Sequence, residues 1–108
     1  MPNFYRIVQM NPPTAWDFLS DRERGRPEPV DPASRELWEG LSVYAKDVQA
    51  RRKATRFPAI GTFIAEVIIP EGGTVQYKRT APSTGHHTLW GDTDYLLTCA
   101  GTVKPVGQ

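Results

Sequence analysis

The segment Thr62–Ile69 constrains the fold most, because it is apolar on both faces of an extended chain. Successive side chains of a strand point to opposite faces. One face is formed by four apolar residues: Phe63, Ala65, Val67 and Ile69. The other face holds Ile64 and Ile68 beside Glu66. Because a strand with two apolar faces must be covered on both, the sequence predicts that this strand is central in a sheet.

Turn signals and capping residues divide the rest of the chain into short elements. Alternating or β-branched segments predict four further strands: 3–9, 41–44, 74–80 and 98–106. Caps and stop signals predict four short helices: 14–20, 33–39, 47–57 and one turn around 95–97. The turn at 70–73 predicts a hairpin between strands 62–69 and 74–80, and residues 81–85 are predicted to form a polar loop.

Helices fall in the first half of the chain and strands dominate the second, which predicts the α+β class rather than a parallel βαβ stack. We expect one small domain over residues 1–108, with a mainly antiparallel twisted sheet and short helices.

The composition limits the compartments and the partners that we expect for this chain. The single cysteine, Cys99, cannot form an internal disulfide, so we expect a buried thiol and a reducing, cytoplasmic location. No apolar run approaches the roughly 18 residues of a membrane span, and the first residues do not resemble a signal peptide. The net charge of +1 argues against strong non-specific nucleic-acid binding.

The two histidines, His86 and His87, are adjacent in the turn-rich segment Gly85–Asp92. Neighbouring side chains of extended backbone point apart, so we expect only one imidazole to face a ligand. No further ligand has zinc-site spacing, so no metal is predicted. One hypothesis is a catalytic or ligand-binding histidine; the other is one buried and one solvated histidine without function. Trp90, in the same segment, is predicted to line a site.

Arg6 is a basic residue in the middle of an apolar strand. Burying its charge costs several kcal/mol unless the guanidinium is paired. Glu66 or another internal acid is one expected partner. The other is a phosphate or carboxylate of a ligand, which the guanidinium fork fits well.

The loop 21–32 carries three arginines: Arg22, Arg24 and Arg26. Acids in the same segment nearly cancel their charge, so the sequence predicts a solvated, mobile loop rather than a surface for phosphate backbones.

The order of these features resembles the ADP-ribosyltransferase superfamily, in particular its small bacterial toxin members. Three segments carry the resemblance: Phe4-Tyr5-Arg6-Ile7-Val8, Gly40-Leu41-Ser42-Val43-Tyr44 and Gly85-His86-His87-Thr88-Leu89. The resemblance implies an ADP-ribosyltransferase-like fold that binds NAD. Arg6 would contact the phosphates or ribose, Ser42 the nicotinamide ribose, and Tyr44 the nicotinamide ring. His86 and Trp90 would complete the NAD contacts.

The chain departs from the family pattern because no glutamate follows Glu71. The resemblance then implies that His87 or Asp92 takes the role of the family's late catalytic glutamate. It also implies transfer of ADP-ribose to a macromolecular target by a toxin or effector, with an antitoxin or immunity protein as partner. The alternative is a non-enzymatic protein-interaction module or regulator of bacterial or phage origin, which the missing glutamate and the charged loop 21–32 favour.

Overall fold

The computed structural model describes residues 2–81 and 84–107. This part contains six strands: β1 (Asn3–Val8), β2 (Leu41–Tyr44), β3 (Phe63–Ile68), β4 (Gln76–Ala81), β5 (His86–Trp90) and β6 (Ala100–Pro105). It contains three α-helices: α1 (Pro32–Trp38), α2 (Asp47–Arg56) and α3 (Thr93–Thr98). Two 3-10 helices complete it: Ala15–Phe18 and Pro58–Ile60. The predicted loop at 81–85 falls partly outside the described residues, at Pro82 and Ser83.

The strands form one antiparallel sheet in the order β4-β5-β2-β1-β3-β6. The longest ladder joins β1 to β3, from Asn3↔Ile68 to Val8↔Phe63. β6 pairs with the other edge of β3. The α+β class is therefore confirmed, and β3 lies between two neighbours as its two apolar faces predict.

Two expectations about the second half of the chain were wrong. β4 does not form a hairpin with β3, since it pairs with β5, for example through Tyr77↔Leu89. The segment around the histidines is not mainly turn, because His86–Trp90 is the strand β5 that joins β4 to β2. The physical reason is burial: Thr88 and Leu89 of β5 are almost completely buried, and Leu89 belongs to an apolar cluster of the sheet, which a local turn would not achieve.

Each face of the sheet carries its own apolar cluster. One face packs against the first 3-10 helix and α3, and its main members are Phe4, Val8, Phe18, Val43, Val67, Leu89 and Leu96. The other face packs against α2, and its members are Ile7, Tyr44, Ala50, Ala54 and Ile64. Cys99 is buried, as predicted, but it ends α3 instead of lying within a strand. Burial raises the pKa of its thiol.

No helix in the described part of the chain has the length and apolar character needed to cross a membrane.

Candidate functional site

The sheet opens between β1 and β2. These strands are neighbours, yet their register consists of the single pair Tyr5↔Tyr44. Ser42 is exposed although β2 is an internal strand. A cavity of about 550 Å³ lies at this opening, and we call it the Arg6 cavity. Its volume is within the roughly 300–1,000 Å³ typical of ligand pockets.

Arg6 forms the floor of the Arg6 cavity. Its Nε donates to the carbonyl oxygen of Asp17 at 2.7 Å, and its Nη1 donates to the carbonyl oxygen of Ser42 at 2.7 Å. Its Nη2 makes no hydrogen bond with the described residues. Burial, and then the charge of Arg24, lowers the pKa of Arg6 to about 10, so the guanidinium stays charged at neutral pH. The result is a fixed cation with one nitrogen left for a ligand.

The expected internal partner of Arg6 is not Glu66. Glu66 pairs with Tyr5 in the β1–β3 ladder and accepts from Nδ2 of Asn3 at 3.3 Å, so it lies on the opposite face of the sheet. Among residues 2–81 and 84–107, Arg6 makes no ion pair. Backbone carbonyls satisfy part of the guanidinium, and its carbon lies 5.8 Å from the ring centre of Phe18. Within the described part of the chain, no carboxylate contacts it directly.

Asp17 fixes the wall that holds Arg6. Its side chain is buried, with Oδ1 accepting from the backbone N–H of Gln9 at 2.8 Å and Oδ2 from that of Thr14 at 3.1 Å. These two bonds tie the end of β1 to the first 3-10 helix. Because both carboxylate oxygens are engaged, Asp17 positions its own carbonyl toward Arg6 and does not face a ligand as a free acid.

His86 reaches the Arg6 cavity from β5. Its Nδ1 lies 2.6 Å from the hydroxyl of Thr80, and its ring meets that of Tyr44 edge-on at 5.4 Å. Burial lowers its pKa, and the positive charges of His87 and Lys53 add to the effect. The imidazole is therefore neutral at neutral pH. Its Nε2 makes no hydrogen bond within the described part of the chain.

The structure thus brings four of the predicted site residues to one cavity: Arg6, Ser42, Tyr44 and His86. The three others lie elsewhere. His87 points to the face of the sheet opposite to His86, where its ring packs against that of Phe4, 5.0 Å between centroids. Trp90 donates to the backbone carbonyl of Glu36 at 3.0 Å. Asp92 caps α3 by accepting from the N–H of Tyr95 at 3.1 Å.

Sequence reasoning missed three basic residues of the Arg6 cavity: Arg24, Arg26 and Lys53. Arg24 stacks on Trp16, 5.0 Å from guanidinium carbon to ring centre, and donates from Nη2 to the carbonyl of Trp16 at 2.8 Å. Its Nε is buried and has no hydrogen-bond partner among the described residues. No signal in the sequence separates Arg24 from the solvated Arg22, since both lie in the same charge-balanced loop.

Comparison with known proteins found no matching family model, no similar curated protein and no similar solved structure.

Proposed function

We propose that this chain is an NAD-binding, ADP-ribosyltransferase-like domain and that NAD occupies the Arg6 cavity. One observation carries the proposal: residues from three distant segments, Arg6, Ser42 with Tyr44, and His86, line the same cavity. These are the segments on which the family resemblance rests. A chain that used Arg6 only to stabilise its fold would need neither this opening in the sheet nor an exposed Ser42.

The charge of the cavity favours an anionic ligand. Four cationic side chains line it: Arg6, Arg24, Arg26 and Lys53. Asp17 binds backbone N–H groups, and Asp21 pairs with Arg26 at 3.2 Å. Within the described residues this leaves Arg6, Arg24 and Lys53 as the cations of the cavity without an ion pair. A buried donor without a partner, such as Nε of Arg24, costs about 1–3 kcal/mol. A diphosphate would supply acceptors for these donors.

The residues of the cavity suit the proposed reaction in distinct ways. NAD supplies a C–N bond to nicotinamide whose cleavage leaves positive charge on the ribose. Arg6, held by two carbonyls, would fix the diphosphate without reorganising. The hydroxyl of Ser42 makes no hydrogen bond with the residues that the structure describes and would bond the ribose. The ring of Tyr44 offers a wall for nicotinamide. Neutral His86 would accept the proton that the attacking nucleophile of the target releases.

A second candidate is binding of the same ligand without turnover. The observation that favours it is the absence, among the described lining residues, of a carboxylate that is not already engaged. Such a carboxylate would stabilise the charge that develops on the ribose. The two candidates share the ligand and differ in whether nicotinamide is released.

Calorimetry with NAD and a nicotinamide-release assay test the proposal on the whole chain. Ser42→Ala removes one hydroxyl from the cavity, and we expect NAD affinity to fall about tenfold. Thr55→Ala is its control, because Thr55 is exposed on α2 and lies outside the cavity. Failure of the parent protein to bind NAD overturns the proposal.

The two histidines form a matched pair for the chemical step. His86→Asn should abolish nicotinamide release, whereas His87→Asn should keep it, because the imidazoles face opposite sides of β5. Thermal melts of both variants separate loss of function from loss of fold. Release that depends on His87 and not on His86 would contradict the assignment of His86, and NAD binding without release would select the second candidate.

A further inference from the structure

A second cavity, of about 410 Å³, adjoins the Arg6 cavity and shares four of its lining residues: Leu37, Tyr44, Lys53 and His86. We call it the α2 cavity, because α2 contributes Gln49, Arg52 and Arg56 to it besides Lys53. Phe57, which follows α2, and Thr84, which precedes β5, also line it.

The charge of the α2 cavity has one sign. Arg52, Lys53 and Arg56 line it, and no aspartate or glutamate is among its described lining residues. None of the three cations makes an ion pair or a hydrogen bond within residues 2–81 and 84–107. The same helix pairs Arg51 with Asp47 on its other side. Three positive charges around one concavity favour an anion, because their fields add there.

The apolar residues of the α2 cavity indicate which chemical group is attached to the anionic part of the ligand. Phe57 is 44% exposed. Its ring centre lies 4.5 Å from Nζ of Lys53 and 5.5 Å from the guanidinium carbon of Arg56. Tyr44 and Leu37 face the same space. A flat ring can pack on this apolar wall while a phosphate on the same molecule reaches the cations.

We propose that the α2 cavity binds the phosphate monoester of a nucleotide, with the phosphate on Arg52, Lys53 and Arg56 and the base against Phe57. A dianionic monoester matches three cations better than the singly charged phosphates of a diester or diphosphate bridge. This ligand is distinct from the dinucleotide in the Arg6 cavity, and the inference does not depend on that cavity binding NAD.

Calorimetry with AMP, with adenosine as the unphosphorylated control, tests the proposal on the whole chain. AMP should bind at least about tenfold more tightly than adenosine, and its affinity should fall as salt is raised. The double variant Arg52→Gln/Arg56→Gln should weaken AMP binding at least about tenfold and leave the fold intact, since both side chains are exposed. Arg22→Gln/Arg35→Gln removes two arginines outside the α2 cavity and should leave AMP binding unchanged.

Three results would overturn the proposal: no AMP binding by the parent, equal binding of adenosine, or full AMP binding by the Arg52/Arg56 variant. AMP binding by a parent protein that fails to bind NAD would keep this proposal and discard the proposed function. The phosphate monoester could belong to a free nucleotide or to the 5′ end of a nucleic-acid strand, and a single-stranded oligonucleotide with and without a 5′-phosphate distinguishes the two. Phosphate-dependent binding as tight as that of AMP assigns the site to a strand end. Weaker binding assigns it to free nucleotides.

Discussion

Nη1 of Arg6 donates to the carbonyl oxygen of Ser42 at 2.7 Å, and this side-chain bond bridges β1 and β2 beyond their one paired position. The two strands would otherwise be joined at Tyr5↔Tyr44 alone. Arg6 therefore has two tasks, since it closes the floor of the cavity and presents a cation to whatever enters it. A variant of Arg6 therefore changes both stability and ligand binding, and the two effects have to be measured separately.

Replacing Arg6 with alanine is expected to lower the free energy of unfolding by about 2–4 kcal/mol, because the carbonyls of Asp17 and Ser42 lose their buried donor. Urea denaturation measures this loss. Arg22→Ala is the control: its ion pair with Glu39 is exposed, and its removal should cost no more than about 0.5 kcal/mol. Equal losses in both variants would show that Arg6 does not hold the strands together.

Replacing Asp17 with asparagine should cost about 2–3 kcal/mol, because one of two backbone donors, at Gln9 or Thr14, would face an amide N–H instead of an oxygen. Asp21→Asn provides the comparison. Its partner Arg26 is exposed, so the expected loss in urea denaturation is below about 1 kcal/mol. An Asp17→Asn protein as stable as the parent would remove the role assigned to this carboxylate.

Much of the fold could be predicted because its signals are local. The strand at 41–44 has the predicted bounds, and the helix predicted at 47–57 is α2, which ends one residue earlier. In each case capping, turn chemistry or alternation is sufficient. The pairing of β4 could not be predicted in this way. The turn at 70–73 favours a hairpin with β3, but β1 and β6 already occupy both edges of β3, and only the whole sheet contains that information.

The candidate site could likewise be predicted only where its residues carry a local signal in the sequence. Arg6 stands out in the sequence because a charge within an apolar strand needs a partner, and the alternation of side chains explains why His86 and His87 separate. The sequence placed Arg24 in a charge-balanced loop and gave no reason to single out Lys53 on α2. Long side chains from separate surface elements meet at the opening between β1 and β2, and their meeting depends on tertiary packing rather than on local pattern.

The close approach of Gly40 to β5 predicts a further sensitive position. A Cβ at residue 40 would meet the side chain of Thr88 and lie 2.8 Å from the carbonyl oxygen of Leu89, so backbone would have to move. Gly40→Ala should therefore cost about 1–3 kcal/mol and distort the cavity wall that Gly40 forms. Gly107→Ala, where a Cβ would meet nothing within 4 Å, should leave the melting temperature unchanged. Identical melting temperatures for the two variants would contradict the close packing.

The lowered pKa of His86 predicts how stability depends on pH. Burial is the main cause, and the charges of His87 and Lys53 contribute. At a pH above the unfolded value of about 6.5 the imidazole is neutral in both states and contributes no pH dependence. As the pH falls below about 6.5, the unfolded chain takes up this proton before the folded protein does, so the free energy of unfolding decreases until the folded pKa is passed. His86→Asn removes this component, and the difference between its stability and that of the parent should change as the pH is lowered from about 7 into the range below about 6.5. Urea denaturation across that range measures the difference, and an NMR titration of the His86 ring protons gives the folded pKa directly.

Parallel stability curves for parent and variant, or a His86 pKa at or above about 6.5, would show that the ring is not held neutral in the cavity.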